Sequence, residues 1–212
     1  MPCSEGHPFL AATLDVLMLP LAKLRPGVVE LASGRVLELG IGTGMNLPLY
    51  QGITSLHAVE PDPYMLRRAR ERARGRPFPV DIAPGGAEAL PFPDASFDTV
   101  VATFVFCTIP DPAAAAAEAL RVLRPGGRLL FAEHVRSCVP PVHATQRALE
   151  PVWKRLAGGC HLTRDPVALF RAAGAVDLEV QPRGAAWSLM PVVTGVGWRG
   201  EASPLSPAPP PE

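Results

Sequence analysis

Three glycines alternate in the run Val36-Leu37-Glu38-Leu39-Gly40-Ile41-Gly42-Thr43-Gly44. Glycine lets a backbone turn tightly and approach a ligand with no side chain between them. The apolar residues before the run read as a strand, so the turn lies where a strand hands over to its crossover. Two carboxylates flank it. Glu38 stands just before the turn, placed to help hold an ammonium group. Glu60 ends the next apolar run, 20 residues after Gly40, where a carboxylate can accept hydrogen bonds from both hydroxyls of a ribose.

A dinucleotide and S-adenosylmethionine (SAM) both carry such a ribose. The spacing favours SAM. A dinucleotide turn reads GxGxxG, whose third glycine would fall on Met45, whereas this turn reads GxGxG. A dinucleotide also needs helix-start amides for its pyrophosphate, and SAM has no phosphate. Pro61, Tyr64 and Met65 follow Glu60, and Met65 and Tyr64 are candidates to pack on the adenine face. Gly86, Ala87 and Glu88 precede Leu90-Pro91-Phe92 and would border the adenine. Thr103, at the end of a later strand, completes the expected cofactor set.

A second group of residues could serve a methyl acceptor. Methyl transfer from a sulfonium is an in-line displacement in which the protein chiefly aligns the partners and excludes water. No metal and no covalent intermediate is required, and none is expected. A thiol acceptor must lose its proton, since the thiolate attacks; free thiols titrate near about 8.5. His134 ends one predicted strand beside Glu133, and His161, Arg164 and Asp165 fall close together further on. Either histidine could take a proton, and Arg164 could attract an anionic acceptor. A strand-end histidine or an Arg–Asp pair also serves simply to close a loop, and Asp165 before Pro166 suits a helix cap. Phe104 and Phe106 would line the acceptor pocket and favour the sulfonium through their rings. Cys107 reads as a small apolar wall residue. Cys107, Cys138 and Cys160 would gather a soft ligand such as arsenite only if folding brought them together.

The elements that must position these groups alternate. Strands are predicted at 35–39, 55–60, 79–83, 97–103 and 128–134, with a turn at Arg124-Pro125-Gly126-Gly127 and a closing pair at 176–180 and 191–198. Asp62-Pro63 and Asp111-Pro112 open helices running to about Arg74 and Leu123, the aspartate accepting from the first amides and proline suiting the first helical position. Further helices are expected over 140–156 and 165–173. Strands alternating with helices imply a doubly wound, mostly parallel α/β sheet of seven strands. Residues 9–24 carry Leu10, Leu14, Leu17, Met18, Leu21 and Leu24 on one helical face. Pro20 should kink or split that helix, which is expected to cap the site; attachment to a membrane surface is the alternative. The organisation is thus a cap region over 1–30, a catalytic domain over 31–200 and a disordered, proline-rich tail over 201–212.

Composition narrows the rest. The 212 residues carry 20 Lys plus Arg and 20 Asp plus Glu, for a formal net charge of zero. This offers no bulk attraction for nucleic acid or an anionic membrane. The four cysteines include no CxxC pair, no apolar run reaches the roughly 18 residues of a membrane span, and the N-terminus lacks signal-peptide features. A cytoplasmic protein acting on a small molecule is the expectation.

VLELGIGTGMNLPLY, HAVEPDPYML, GGAEALPFPDASFDTVVATFVFC and RVLRPGGRLLFAEHV together resemble the class I SAM-dependent methyltransferases over residues 9–200. EHVRSC and LEPVWKRLAGGCHLTRD resemble, more narrowly, the methyltransferase-like thiol methyltransferases of animal membranes and their soluble bacterial relatives. Ubiquinone-biosynthesis and phospholipid N-methyltransferases are similar across the core only. The resemblance implies a Rossmann-like fold, SAM held by the glycine turn and Glu60, adenine near Gly86 and Ala87, S-adenosylhomocysteine as product, and a thiol or sulfide acceptor. A lipid amine, a quinol-type acceptor or a non-catalytic SAM-binding role are the alternatives. Many relatives carry Asp where Gly86 stands and Tyr where Leu14 stands, and the animal proteins add a membrane anchor.

Overall fold

Val36, Leu37 and Leu39 of the strand β1 (Gly34–Leu39) are completely buried. A strand apolar on both faces belongs at the centre of a sheet covered on both sides, and β1 lies there. In the computed structural model, which describes residues 6–200 except Ala186, it pairs in parallel with β2 (Ile53–Glu60) and β4 (Phe97–Thr103). β3 (Val80–Pro84) and β5 (Leu123–His134) extend the sheet in parallel on either side. β6 (Ala175–Arg183) and β7 (Val192–Arg199) close it, β7 running antiparallel to both neighbours. The order is β3-β2-β1-β4-β5-β7-β6. The chain therefore changes direction of winding between β1 and β4, and ligands of such sheets bind outside the carboxyl ends of strands at that switch point.

Successive residues of the central strands feed opposite faces. Leu37, Leu39, Val100, Ala102 and Phe131 pack in one core cluster, while Val36, Val101, Leu130 and Ala132 pack in the other. This alternation is the period-two geometry of a strand, and it makes the fold the doubly wound one expected.

The Asp-Pro starts are as predicted. Asp62 caps α4 (Pro63–Ala73) by accepting from the Tyr64 and Met65 amides, Asp111 caps α5 (Pro112–Val122) at Ala114, and Asp165 caps α7 (Pro166–Ala172) at Ala168. The predicted helix over 140–156 is α6 (Pro140–Leu156). The N-terminal helix breaks at Met18, so that Pro20 falls in the first turn of the second piece, giving α1 (Pro8–Leu17) and α2 (Leu19–Ala22), with α3 (Pro26–Val29) after them. No helix among the described residues is long and apolar enough to cross a membrane.

Several boundaries differ. β6 runs over Ala175–Arg183 rather than 176–180. β2 begins at Ile53 rather than Ser55. The turn expected at 124–127 lies within β5, as a bulge: Phe97 pairs with Leu123 but Thr99 pairs with Arg128. Gly126 takes a φ of 71° there, the left-handed backbone that sequence reading scored as a turn. The tail over 201–212, Cys3 and the Leu14 side chain lie outside the described residues.

Candidate functional site

Gly40, Gly42 and Gly44 have φ of 60°, 58° and 85°, a region that side-chain-bearing residues rarely adopt. Packing adds a second demand. A Cβ at Gly40 would stand 2.3 Å from Val105 Cγ2, and one at Gly44 would stand 2.7 Å from Leu47 Cδ1. The turn after β1 is thus pressed against the segment after β4. Glu60, at the tip of β2, closes it from the other side. Its Oε2 accepts the Gly42 N–H at 2.8 Å and its Oε1 accepts the Asp62 N–H at 2.9 Å. Burial raises the Glu60 pKa, against these two backbone donors.

Beneath the turn lies a buried polar network. Glu38 is 1% exposed and accepts from Asn46 Nδ2 at 2.7 Å and from the Tyr50 hydroxyl at 2.9 Å. Burial pushes it up to about 7 although both donors and the Arg25 charge favour the carboxylate. Arg25 donates through one Nη to Asn46 Oδ1 at 2.8 Å and to Thr103 Oγ1 at 2.9 Å, and its guanidinium stacks over the Phe104 ring. Its Nε is buried without a partner. Asn46 also donates to Thr103 at 2.9 Å. Thr103, chosen from its strand-end position, and Glu38 therefore meet through Asn46 and beside Arg25, two residues that sequence reading did not single out. A lone arginine within an apolar segment, far from the turn in sequence, carries no local signal of that role.

The cap region is tied to the same turn. Asp15 of α1 accepts from the Thr43 hydroxyl and pairs with Arg72, while Arg68 approaches it at 3.4 Å. Arg72 reaches back to the Thr43 carbonyl at 3.1 Å, and Arg68 donates to the Ala11 carbonyl at 2.8 Å. Asp15 was likewise not anticipated, because its partners lie on the turn and on α4.

Of the residues assigned to the adenine, Ala87 is buried and Gly86, Glu88 and Met65 are half-buried. The Glu88 carboxylate is folded over Gly86: a Cβ at Gly86 would lie 2.2 Å from Glu88 Oε2. Tyr64 and Pro61 are exposed, and Tyr64 sits against Gly6.

On the acceptor side, Phe104 holds a φ of 56°, strain of the kind concentrated at functional sites. Phe106 does not line a pocket. It is completely buried and packs edge-on against Phe170 at 4.7 Å, because the segment after β4 turns that ring into the core. Glu133 is fully buried, and its Oε1 accepts from the Val105 and Phe106 amides at 3.0 and 3.2 Å. Burial pushes it up to about 7. His134 is 2% exposed and donates through Nε2 to the His161 carbonyl at 2.8 Å. His161 is half-buried, with Nδ1 3.2 Å from Glu150 Oε1, and its backbone N–H donates to the Cys107 carbonyl at 2.9 Å. Arg164 donates through one Nη to the Phe106 and Ile109 carbonyls, each at 2.6 Å. That amino group ties the 106–109 segment down rather than waiting for an anion.

Cys107 and Cys160 are both buried, and Cys138 is exposed. Cys138 does not join the other two sulfurs; His134 takes the third place in that cluster. Cys107 Sγ donates to the Phe104 carbonyl at 3.7 Å, and the two neighbouring sulfurs shift one another's pKa, Cys160 downward despite burial and with help from His134, and Cys107 upward.

Residues 37–131 match the methyltransferase domain family. The chain is 36% identical over 158 residues to the thiol S-methyltransferase TMT1B of Rattus norvegicus, covering 72% of this chain and 65% of that one. With the human protein of the same name it shares 34% over 164 residues, covering 74% and 67%. With the phosphatidylethanolamine N-methyltransferase of Cereibacter sphaeroides it shares 38% over 123 residues, covering 57% and 61%. The chain thus spans about two thirds of the length of these relatives. A geranyl diphosphate methyltransferase solved in complex with SAM superposes with a TM-score of 0.69 at 14% identity, covering 94% of this chain and 92% of that one. It shares the fold.

Proposed function

This chain belongs to the class I SAM-dependent methyltransferases, and we propose that it transfers a methyl group from SAM to a small thiol or sulfide in the cytoplasm. The observation that carries the cofactor half is the donor set at the switch point. A left-handed glycine turn is bracketed by the carboxylates Glu38 and Glu60, which suits ribose hydroxyls and an ammonium group. The unpartnered Arg25 Nε is a buried donor in want of an acceptor, and a carboxylate such as that of the methionyl moiety satisfies it. Glu60 would hold the ribose, Glu38 with Asn46 the ammonium end, and Met65, Ala87 and Glu88 the adenine. Glu88 lies over Gly86, which leaves its carboxylate beside the place assigned to the adenine. When bound, SAM supplies a methyl group already activated on a sulfonium.

For the acceptor, support comes from the relatives named thiol S-methyltransferases and from where the GGCHLTRD stretch folds. The His161 backbone is fixed to the Cys107 carbonyl, and its ring is oriented by Glu150, the pairing of a base with the carboxylate that positions it. His134, whose Nε2 is engaged by a carbonyl, is better placed to position that stretch. We therefore assign the proton acceptor to His161.

A lipid amine is the second reading, favoured by the Cereibacter relative and by the exposed Phe9, Val16, Leu17 and Leu19 of the cap. Mass spectrometry of SAM turnover separates the readings, using small thiols and sulfide, phosphatidylethanolamine vesicles and a quinol as acceptors. Methylated thiol alone supports the proposal. Methylated lipid or quinol discards the thiol while keeping the cofactor. SAM bound with no product indicates a binding-only protein.

A further inference from the structure

Cys107, His134 and Cys160 come from three separate segments: the loop after β4, the tip of β5 and the loop after α6. Their sulfur and imidazole nitrogen atoms all lie within 4.8 Å of one another, and Cys160 Sγ is 3.8 Å from His134 Nε2. Each of the three residues is under 10% exposed. We propose that they form a binding site for a soft divalent cation, with zinc as the occupant.

The dimensions fit. Zinc bonds of about 2.3 Å to sulfur and about 2.0 Å to nitrogen, at a tetrahedral angle, separate sulfur from nitrogen by about 3.5 Å and sulfur from sulfur by about 3.8 Å. The Cys160–His134 separation needs only a few tenths of an ångström of adjustment, and the Cys107 sulfur, within 4.8 Å of both, needs at most about an ångström more. Two thiolates neutralise a divalent ion, which a buried site requires, and a thiolate-rich set selects zinc over magnesium or calcium. Three protein ligands leave one corner of the tetrahedron for a donor from outside the chain.

Two features of the surroundings serve the site. Gly158 and Gly159, with φ of 58° and 89°, precede Cys160, and a Cβ at Gly159 would meet nothing. The loop that carries Cys160 thus has the backbone freedom to admit an ion. Glu133, which precedes His134, keeps a buried Oε2 without a partner. The protons balance as follows. Both sulfurs bind as thiolates and any thiol proton leaves to solvent, while the neutral His134 ring carries its proton on Nδ1 instead of Nε2. The Nε2–H contact to the His161 carbonyl is exchanged for the metal bond.

The test is a Cd²⁺ titration of the full chain carrying Cys3→Ser and Cys138→Ser, so that only Cys107 and Cys160 offer sulfur. A thiolate-to-cadmium charge-transfer band that saturates at one ion per chain and is competed away by Zn²⁺ is expected. Cys107→Ser, Cys160→Ser and His134→Asn, checked for folding by circular dichroism, should each weaken binding at least about tenfold. Cadmium NMR on the parent protein reads the ligand set without these variants, and a shift for two sulfurs and one nitrogen is expected. Absence of a saturable band in folded, reduced protein overturns the proposal, as does a band indifferent to the substitutions or a cadmium shift typical of oxygen ligands alone.

Discussion

The Glu60 carboxylate at the tip of β2 accepts the Gly42 N–H at 2.8 Å, so the acid to which we assign the ribose also shapes the glycine turn. The turn after one strand is held by the end of the next.

Removing that acid tests the cofactor assignment. Glu60→Ala should weaken SAM by about 1–3 kcal/mol, the cost of leaving donors unpaired. Glu60→Gln should recover part, because an amide oxygen still accepts from Gly42. Calorimetry showing unchanged affinity in Glu60→Ala would refute the role.

Gly40→Ala combines a φ of 60° with a Cβ 2.3 Å from Val105 Cγ2. It should cost roughly 1–3 kcal/mol in denaturant-induced unfolding. Adding Val105→Ala should return only the steric share and leave the backbone share. Full recovery would mean that the left-handed conformation costs nothing.

Asp15 joins the cap to the turn through Thr43 and to α4 through Arg72. Burial alone would raise its pKa, but Arg72, Thr43 and Arg68 outweigh burial and lower it. Its contribution is present above the ordinary carboxylate value and is lost as pH falls through the lowered one. Asp15→Ala should speed proteolysis within residues 8–25 and raise the KM for SAM. A double-mutant cycle with Thr43→Val should show a coupling of about 0.5–3 kcal/mol. Additive effects would show that the two residues do not act together.

Glu38, pushed up to about 7 by burial, has the opposite sign. Between about 5 and 7 the folded state binds a proton that the unfolded chain has released, so its contribution is full at low pH and fades as pH rises through that range. Relative to wild type, Glu38→Gln should therefore gain stability with rising pH, by on the order of 3 kcal/mol across the window. Parallel pH profiles of the melting temperature in the two proteins would count against the shifted carboxyl.

His161→Ala should lower kcat/KM for a thiol by about 100-fold while leaving SAM affinity unchanged, and Glu150→Gln should do so less severely. Wild-type turnover in His161→Ala would move the proton acceptor elsewhere.

Local chemistry made much of this molecule legible. The GxGxG turn and the three Asp-Pro helix starts announced themselves because each is a bond between near neighbours in sequence or a backbone angle that few residues tolerate, and Glu60 stood out by its place at a strand end. The alternation of apolar runs with helical segments specified a doubly wound sheet for the same reason. Arg25, Asn46 and Asp15 were silent, since their partners Thr103, Glu38 and Thr43 are brought to them only when β1 and β4 pair and α1 folds over the turn. Phe106 shows the reverse. Its place beside a strand end suggested a pocket wall, and the direction of the loop sent it into the core. Cys107, His134 and Cys160 looked unrelated along the chain. The loop after β4, the tip of β5 and the loop after α6 meet beyond the carboxyl ends of neighbouring strands, and such a meeting is a property of topology rather than of spacing.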